Sequence, residues 1–361
     1  MVAVRGRSRL KASSVTTRGS RQDEGKNGLP LGARRHQVVH EIELGFRRAC
    51  HGQEPGPVVL AVSGGRDSLA LLIASAVLRD HDDFAILPRV VHVHHHLRPE
   101  ADDEADHVLK VAAMLDIPAE VRNLELSDGT PDEARRLRYE ALVAGAVDCR
   151  SGLVATGHHA EDQLETILAA LGRGAGPGGL AGMPRSRELS DGVSLIRPLL
   201  GICRNDAADL CRAADIRWCD DPGNANPDTQ RGRLRRDVLP VLEEMWPGVA
   251  SRVAATADLQ AIAATAMDGL VGSVFGPMDR MEWVRQDLRD LPTPVIASGL
   301  RRALLSKEVV AVDDLSHVTI FSASEAVGDH RQHQRCFEVG SGSRIIVNAR
   351  HVRIETPEGD S

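Results

Sequence analysis

The chain is poor in aromatic residues, with three Trp, one Tyr and five Phe among 361 residues. Ala, Val and Leu must therefore fill an interior that, at 42% hydrophobic content, can form a sizeable core and, at this length, two domains. No apolar run approaches the roughly 18 residues needed to cross a bilayer, and no signal-peptide pattern is present. A membrane role is excluded on this reading, and a cytoplasmic protein is expected. The six cysteines, Cys50, Cys149, Cys203, Cys211, Cys219 and Cys336, include no Cys-x-x-Cys pair. Their wide spacing fits reduced thiols better than a disulfide framework or a zinc site. An overall positive charge is lacking as well, the net being -7 at pH 7. Residues 1–35 run against this balance: seven Arg and two Lys face only Asp23 and Glu24, a net +7 that leaves -14 on the remainder. Such a polar stretch cannot fold alone and reads as a disordered basic tail. An arm touching RNA phosphates, an inert or misassigned start and an organellar transit peptide compete for its role. The acidic body excludes nucleic-acid binding over the whole surface, so any such contact must come from local basic patches.

What is present is a loop. The apolar run 57–62 leads into Ser63-Gly64-Gly65-Arg66-Asp67-Ser68, and an apolar helix follows. The two glycines let the backbone bend and approach an anion. The N–H groups of such a turn and of the helix start converge on negative charge. Ser63 and Ser68 add hydroxyl donors, and Asp67 can hold a magnesium ion against phosphates. No Gly-Lys-Ser/Thr follows the glycines, so this is not a Walker loop. It resembles instead the Ser-Gly-Gly-x-Asp-Ser pyrophosphate loop of enzymes that split ATP into AMP and pyrophosphate.

From about residue 36 strands and helices alternate. Strands are expected at 57–62, 89–93, 119–124, 153–156 and 196–201. Helices are expected at about 68–79, 100–115, 131–147, 160–171 and 204–214. This order implies an α/β fold, a parallel sheet with helices on both faces, over about residues 36–225. Ligands bind outside the carboxyl ends of such strands. The polar clusters 63–68, 92–96 and 158–159 all fall there, as an active site would. Adjacent histidines at a strand end point to opposite sides, which disfavours zinc at His94 to His96. The glycine-rich run 172–184 reads as a mobile or ligand-shaped loop. Residues 226–361 read as a smaller, mainly helical second domain, with short strands at 336–339, 344–347 and 351–354 forming a terminal hairpin or meander.

Several stretches together resemble one family in order and register. These are His92 to Arg98, Glu133 to Tyr139, Ala155 to Thr166, Gly179 to Pro184, Arg197 to Leu200, Asp221 with Asn224, and the basic run ending at Pro240. Over about residues 55–250 the chain resembles tRNA(Ile)-lysidine synthetase, and the terminal strands look like that family's small second domain. The resemblance implies a ligase that uses ATP and Mg2+ to adenylate carbon 2 of the wobble cytidine in a CAU-anticodon isoleucine tRNA. Free lysine then displaces AMP. Gly232 stands where the family usually has Asn, Leu234 where it has Ile, and His96 where Gly is common.

The residues suit that chemistry. Ser63, Gly64, Gly65, Arg66, Asp67 and Ser68, with His92, form the expected nucleotide set, and Asp67 with Asp162 the expected magnesium ligands. Asp162 and Glu165, three apart on a helix, share a face suited to holding amines; the resemblance places them in a lysine pocket. It likewise places Arg138 on the lysine carboxylate, which a guanidinium fork fits. His158 stands ready to stabilise charge developing on phosphate, and Asp67, His158 and Arg138 make up the expected catalytic set. Arg231, Arg233, Arg235 and Arg236 read as contacts to a tRNA backbone. Beyond that tRNA and lysine, a second copy of the chain is a further candidate partner. Rival functions are a tRNA thiolase, an ATP-dependent amidotransferase and a non-enzymatic RNA-binding module. A thiolase needs a cysteine pair where this chain carries only Cys149, an amidotransferase needs no basic patch, and the intact loop with Asp67 argues against a mere binding module.

Overall fold

The apolar runs of the first half become strands because each is rich in Val, Leu or Ile and bracketed by turn residues, a composition that suits a sheet buried on both faces. The computed structural model describes residues 28–50, 56–81, 84, 86–94, 101–124, 130–219, 229–277, 280–306, 315–331 and 333–356. Two helices, α1 (Leu31–Arg34) and α2 (Gln37–Ala49), precede the first strand, β1 (Gly56–Ala61). Then follow α3 (Arg66–Leu78), β2 (Ile86–His94), α4 (Ala101–Met114), β3 (Ala119–Asn123), α5 (Pro131–Asp148), β4 (Leu153–Thr156) and α6 (Ala160–Gly172). A short α7 (Pro177–Leu180), the strands β5 (Ser186–Ser190) and β6 (Val193–Ile196), and α8 (Arg204–Ala213) complete this half.

The sheet order is β3-β2-β1-β4-β6-β5, parallel throughout except for β5, which pairs antiparallel with β6. Chain order runs outward from β1 through β2 to β3, then restarts on the other side at β4. The crevice between the ends of β1 and β4 is therefore the switch point where open α/β sheets bind ligands. Helix α3 is buried from Ser68 to Leu78 because it is apolar all round and wedged between the sheet, α2 and α8.

Three expectations need correction. Leu29 and Ala33, inside the stretch read as tail, are 1% and 0% exposed and join the main core, so the packed body begins by residue 29. The strand expected at 196–201 is β6 and ends at Ile196, since Pro198 has no N–H to extend a ladder. The glycine-rich run contains α7 and is pinned by Gln163, whose amide bonds Met183 O at 3.1 Å and accepts from Met183 N at 2.7 Å. Residues 1–27, His95, His96, Asp221 and Asn224 lie outside the described residues.

The remainder holds α9 (Gln230–Arg233), one π-helical turn (Leu234–Val238), α10 (Leu239–Met245) and the long α11 (Val249–Phe275). Beyond them β7 (Glu282–Val284), α12 (Arg285–Arg289), α13 (Thr293–Ser306), α14 (His317–Gly328), β8 (Arg335–Gly340), β9 (Ser343–Val347) and β10 (His351–Glu355) share a second core. Their sheet, ordered β7-β10-β9-β8, has one strand more than expected. Helix α11 joins the halves: Ala250 and Ala254 pack on Ala160 and Leu164 of α6, and Asp258 pairs in a fork with Arg185. No described helix is long and apolar enough to cross a membrane.

Candidate active site

The loop after β1 is braced from inside. Ser68 Oγ donates to Gly65 O at 2.9 Å and accepts from Ser63 N at 3.2 Å, while the two serine hydroxyls lie 3.2 Å apart. Gly64 takes φ +91°, a conformation that L side chains rarely adopt. Its carbonyl accepts from Cys219 N at 2.9 Å. His92 is buried and donates from Nδ1 to Val62 O at 2.8 Å, so its place is beneath the loop as a strut. Arg66 turns its guanidinium over the Trp218 ring, 5.1 Å from the centroid.

The turn after β4 packs against this loop. A Cβ on Gly157 would sit 3.0 Å from Asp67 C and Ser68 N. Gly157→Ala must push the two turns apart, and we expect it to raise the nucleotide requirement at least about tenfold, an effect read from initial rates against ATP; an unchanged requirement would show that the close approach is incidental. Behind Gly157, His159 is 5% exposed and stands among three carboxylates. Its Nδ1 contacts Glu161 Oε2 at 2.9 Å, and its Nε2 faces Asp162 Oδ2 at 3.5 Å and Asp67 Oδ2 at 3.7 Å. Burial opposes a charged imidazole here, but Glu161, Asp162 and Asp67 outweigh it and raise the pKa.

His158 is the opposite case. Burial, with Arg197, Arg138 and Arg231 nearby, pushes its pKa down to about 3 against the pull of Asp162. It is therefore a neutral imidazole at pH 7, a hydrogen-bonding group and not the cation that phosphate stabilisation would favour. Thr156 Oγ1 lies 2.8 Å from His158 Nδ1 and donates to Ile196 O at 3.5 Å, which holds the ring in place from behind. By NMR, His158 should show no titration above about pH 5, whereas His159 should hold its proton above the ordinary value. Unfolded, both rings take a proton near 6.5. The His158 site therefore loses stability as pH falls below that value, and the His159 site loses it as pH rises through its raised pKa. A His158 titration near 6.5 would contradict this assignment.

Asp67 is half-buried, and desolvation raises its pKa although His159 and Arg204 pull it back. Its Oδ1 is shut from solvent and accepts no hydrogen bond, while Oδ2 has Arg204 Nε at 4.0 Å. A bare carboxylate oxygen beside an anion-binding loop suits a hard cation. Asp162 does not match it. One oxygen accepts from His159 N at 3.1 Å, capping α6, and the other takes Arg231 Nη2 at 3.0 Å and Arg235 Nη2 at 2.6 Å. Among the described residues no group of three His, Cys, Asp or Glu is arranged to hold a metal.

The basic run splits in two. Arg231 and Arg235, expected on a tRNA backbone, turn inward: Arg231 Nε reaches Glu165 Oε2 at 2.5 Å, and Arg235 Nε bonds the other Glu165 oxygen. Glu165 is 2% exposed and lies wholly under them. Arg233 and Arg236 point outward, and Arg236 pairs only with neighbouring Asp237. A cavity of about 220 Å³ opens beside this cluster, lined by His159, Glu161, Glu165, Arg204 and Arg235. Arg138 lies elsewhere, on α5, over the ring of Tyr139 at 5.3 Å and within electrostatic reach of His158. Sequence reasoning missed Glu161, whose carboxylate caps α8 by accepting from Arg204 N at 3.0 and 3.1 Å. The signal was the unbroken run His158-His159-Ala160-Glu161-Asp162, too many titratable groups for one helix start.

A serine–glycine–glycine–aspartate–serine turn at the switch point of a parallel sheet, with acidic and basic groups on the facing rim, defines a PP-loop enzyme fold. The family model described as PP-loop domain matches residues 38–242. A tRNA(Ile)-lysidine synthase from Salinispora tropica is 38% identical over 251 residues, which cover 66% of this chain and 70% of that protein. One from Xanthomonas campestris pv. campestris is 39% identical over 215 residues, 58% of this chain. The chain belongs to the tRNA(Ile)-lysidine synthase family. It spans about half the length of the Xanthomonas relative, 48%. Among solved structures, the U34-tRNA thiolase NcsA from Methanococcus maripaludis with its 4Fe-4S cluster aligns with a TM-score of 0.51 at 16% identity, over 62% of this chain and 80% of that one. That likeness is one of fold.

Proposed function

We propose that this chain is a tRNA(Ile)-lysidine synthase in activity: it adenylates carbon 2 of the wobble cytidine of a CAU-anticodon isoleucine tRNA with ATP, releasing pyrophosphate, and lets free lysine displace AMP. The observation that carries this reading is the meeting of the loop, through Asp67, with His159 and Asp162, to which Arg231 and Arg235 join Glu165, at one sheet rim. The loop and the start of α3 would bind the triphosphate. Asp67 would hold a magnesium ion by its bare Oδ1, and that ion would supply charge neutralisation on the phosphates. His158, held by Thr156, is a neutral hydrogen-bonding group that would face charge developing on the activated ring.

The lysine ammonium would enter by the cavity beside Glu165 and take the place of one guanidinium, while Arg138 receives the carboxylate. The amine must then lose a proton to attack, and carboxylates already neutralised by Arg231 and Arg235 hold it less tightly than bare ones would. The outward pair Arg233 and Arg236 would meet the tRNA backbone. The thiolase reading is weaker, because Cys149 lies with Pro57 and Leu87 at the amino ends of the strands, away from this rim. The test is incubation with CAU-anticodon isoleucine tRNA, ATP and radiolabelled lysine. Label should enter the RNA only when ATP is present, and RNA without label would refute the reaction.

A further inference from the structure

Arg138 belongs to a cluster at this rim whose other members have no part in the chemistry above. Tyr139, the only tyrosine of the chain, is ringed by Arg135, Arg138 and Arg187, whose guanidinium carbons lie 5.4, 5.3 and 4.9 Å from its ring centroid. Arg197, 3% exposed, completes the group and is fixed by donating to Pro184 O at 2.5 Å. Among the described residues no carboxylate lies within ion-pair distance of any of the four. In a body that carries excess negative charge, four unpaired guanidinium groups around one phenol need an explanation. Like charges at such range repel, and an anion between them would relieve the repulsion. Burial together with Arg187 and Arg135 depresses the Arg197 pKa against the pull of Tyr139, and the Tyr139 hydroxyl is cut off from solvent, its oxygen drawn on by Arg187 and its own proton without an acceptor.

We propose that Arg135, Arg187 and Tyr139 form a second anion site, which takes an internucleotide phosphate of the RNA chain beside the base to be modified. This rests on the reading that the chain acts on RNA. Position argues for that occupant. The triphosphate loop follows β1, whereas this cluster is built from α5, β5 and the end of β6, on the other side of β4 and His158. A polynucleotide delivering a base to His158 must approach from the side that the triphosphate does not fill. One carboxylate needs one guanidinium fork, which Arg138 supplies; Arg135 and Arg187 exceed that need and suit a phosphate. The tyrosine face holds them flat and preorganised.

The test uses the full chain and a fluorescent CAU anticodon stem–loop RNA, with affinity measured by anisotropy across a salt series. The double variant Arg135→Gln, Arg187→Gln should weaken binding about tenfold and flatten the slope of log affinity against log salt by about one to two. Arg136→Gln, on the same helix but paired with Glu140 at 2.6 Å, should change neither. Should the double variant fail to fold by circular dichroism, Arg187→Gln alone should give about half the change in slope. An unaltered slope overturns the site. So does intact RNA binding with a raised requirement for lysine, which would assign the arginines to a carboxylate, or for ATP, which would assign them to the triphosphate. Binding is read without turnover, so a failed lysine-incorporation assay would remove the reaction and leave this site standing.

Discussion

Asp67→Asn should lower tRNA- and lysine-dependent AMP release by at least about a thousandfold while leaving the protein folded. The substitution keeps the shape of the side chain and removes the one carboxylate oxygen at the loop that has no protein partner. Stability should not suffer, because burial is what chiefly raises the Asp67 pKa and an amide carries no charge to desolvate. His159 loses one of its three carboxylates but keeps the hydrogen bond to Glu161. Rates and melting temperature measured on one preparation separate the two effects. Turnover within tenfold of the parent would remove Asp67 from the cation and phosphate assignment.

Glu165→Ala should act on both folding and lysine use. Its carboxylate is 2% exposed and receives both Arg231 and Arg235, so its loss leaves two guanidinium groups with Asp162 alone. Breaking such a pair costs about 3 kcal/mol, visible as a shift in a urea midpoint. The lysine requirement should rise at least about a hundredfold, far more than the ATP requirement. Glu165→Gln, which restores hydrogen bonding without charge, should recover part of the stability and little of the lysine affinity. Equal changes in the lysine and ATP requirements would show that Glu165 serves only to hold the arginines.

The catalytic half was largely legible because its signals are local. The loop announces itself by glycines and hydroxyls in sequence, and α5 is announced by Thr130 with Pro131: the Thr130 hydroxyl accepts from Glu133 N at 3.2 Å. β5 was not legible, since Ser186–Ser190 carries little apolar character and exists as a strand only because β6 offers it an edge. Helices α2 and α14 went unread although α2 is strongly amphipathic from Val38 to Phe46. The arginine run was half legible. Spacing alone puts Arg231 and Arg235 on one helical face and Arg233 on another, yet nothing in the sequence says that the first pair would lie over Asp162 and Glu165, some seventy residues earlier. Long-range charge pairing of that kind comes from tertiary packing, here the seating of α10 and α11 on α6.

On the proposed reading, one surface would serve two ligands. Arg231 and Arg235 pair with the acids that lysine would meet, and Arg233 and Arg236 are exposed and would meet phosphate. Substituting the inner pair should therefore destabilise the fold, whereas substituting the outer pair should weaken RNA binding and spare the melting temperature.

The most direct measurement supplies ATP labelled at its α-phosphate together with CAU-anticodon isoleucine tRNA and withholds lysine. Label should accumulate on the tRNA and then leave as AMP when lysine is added. Label that never reaches the RNA, or appears as ADP, would contradict the account.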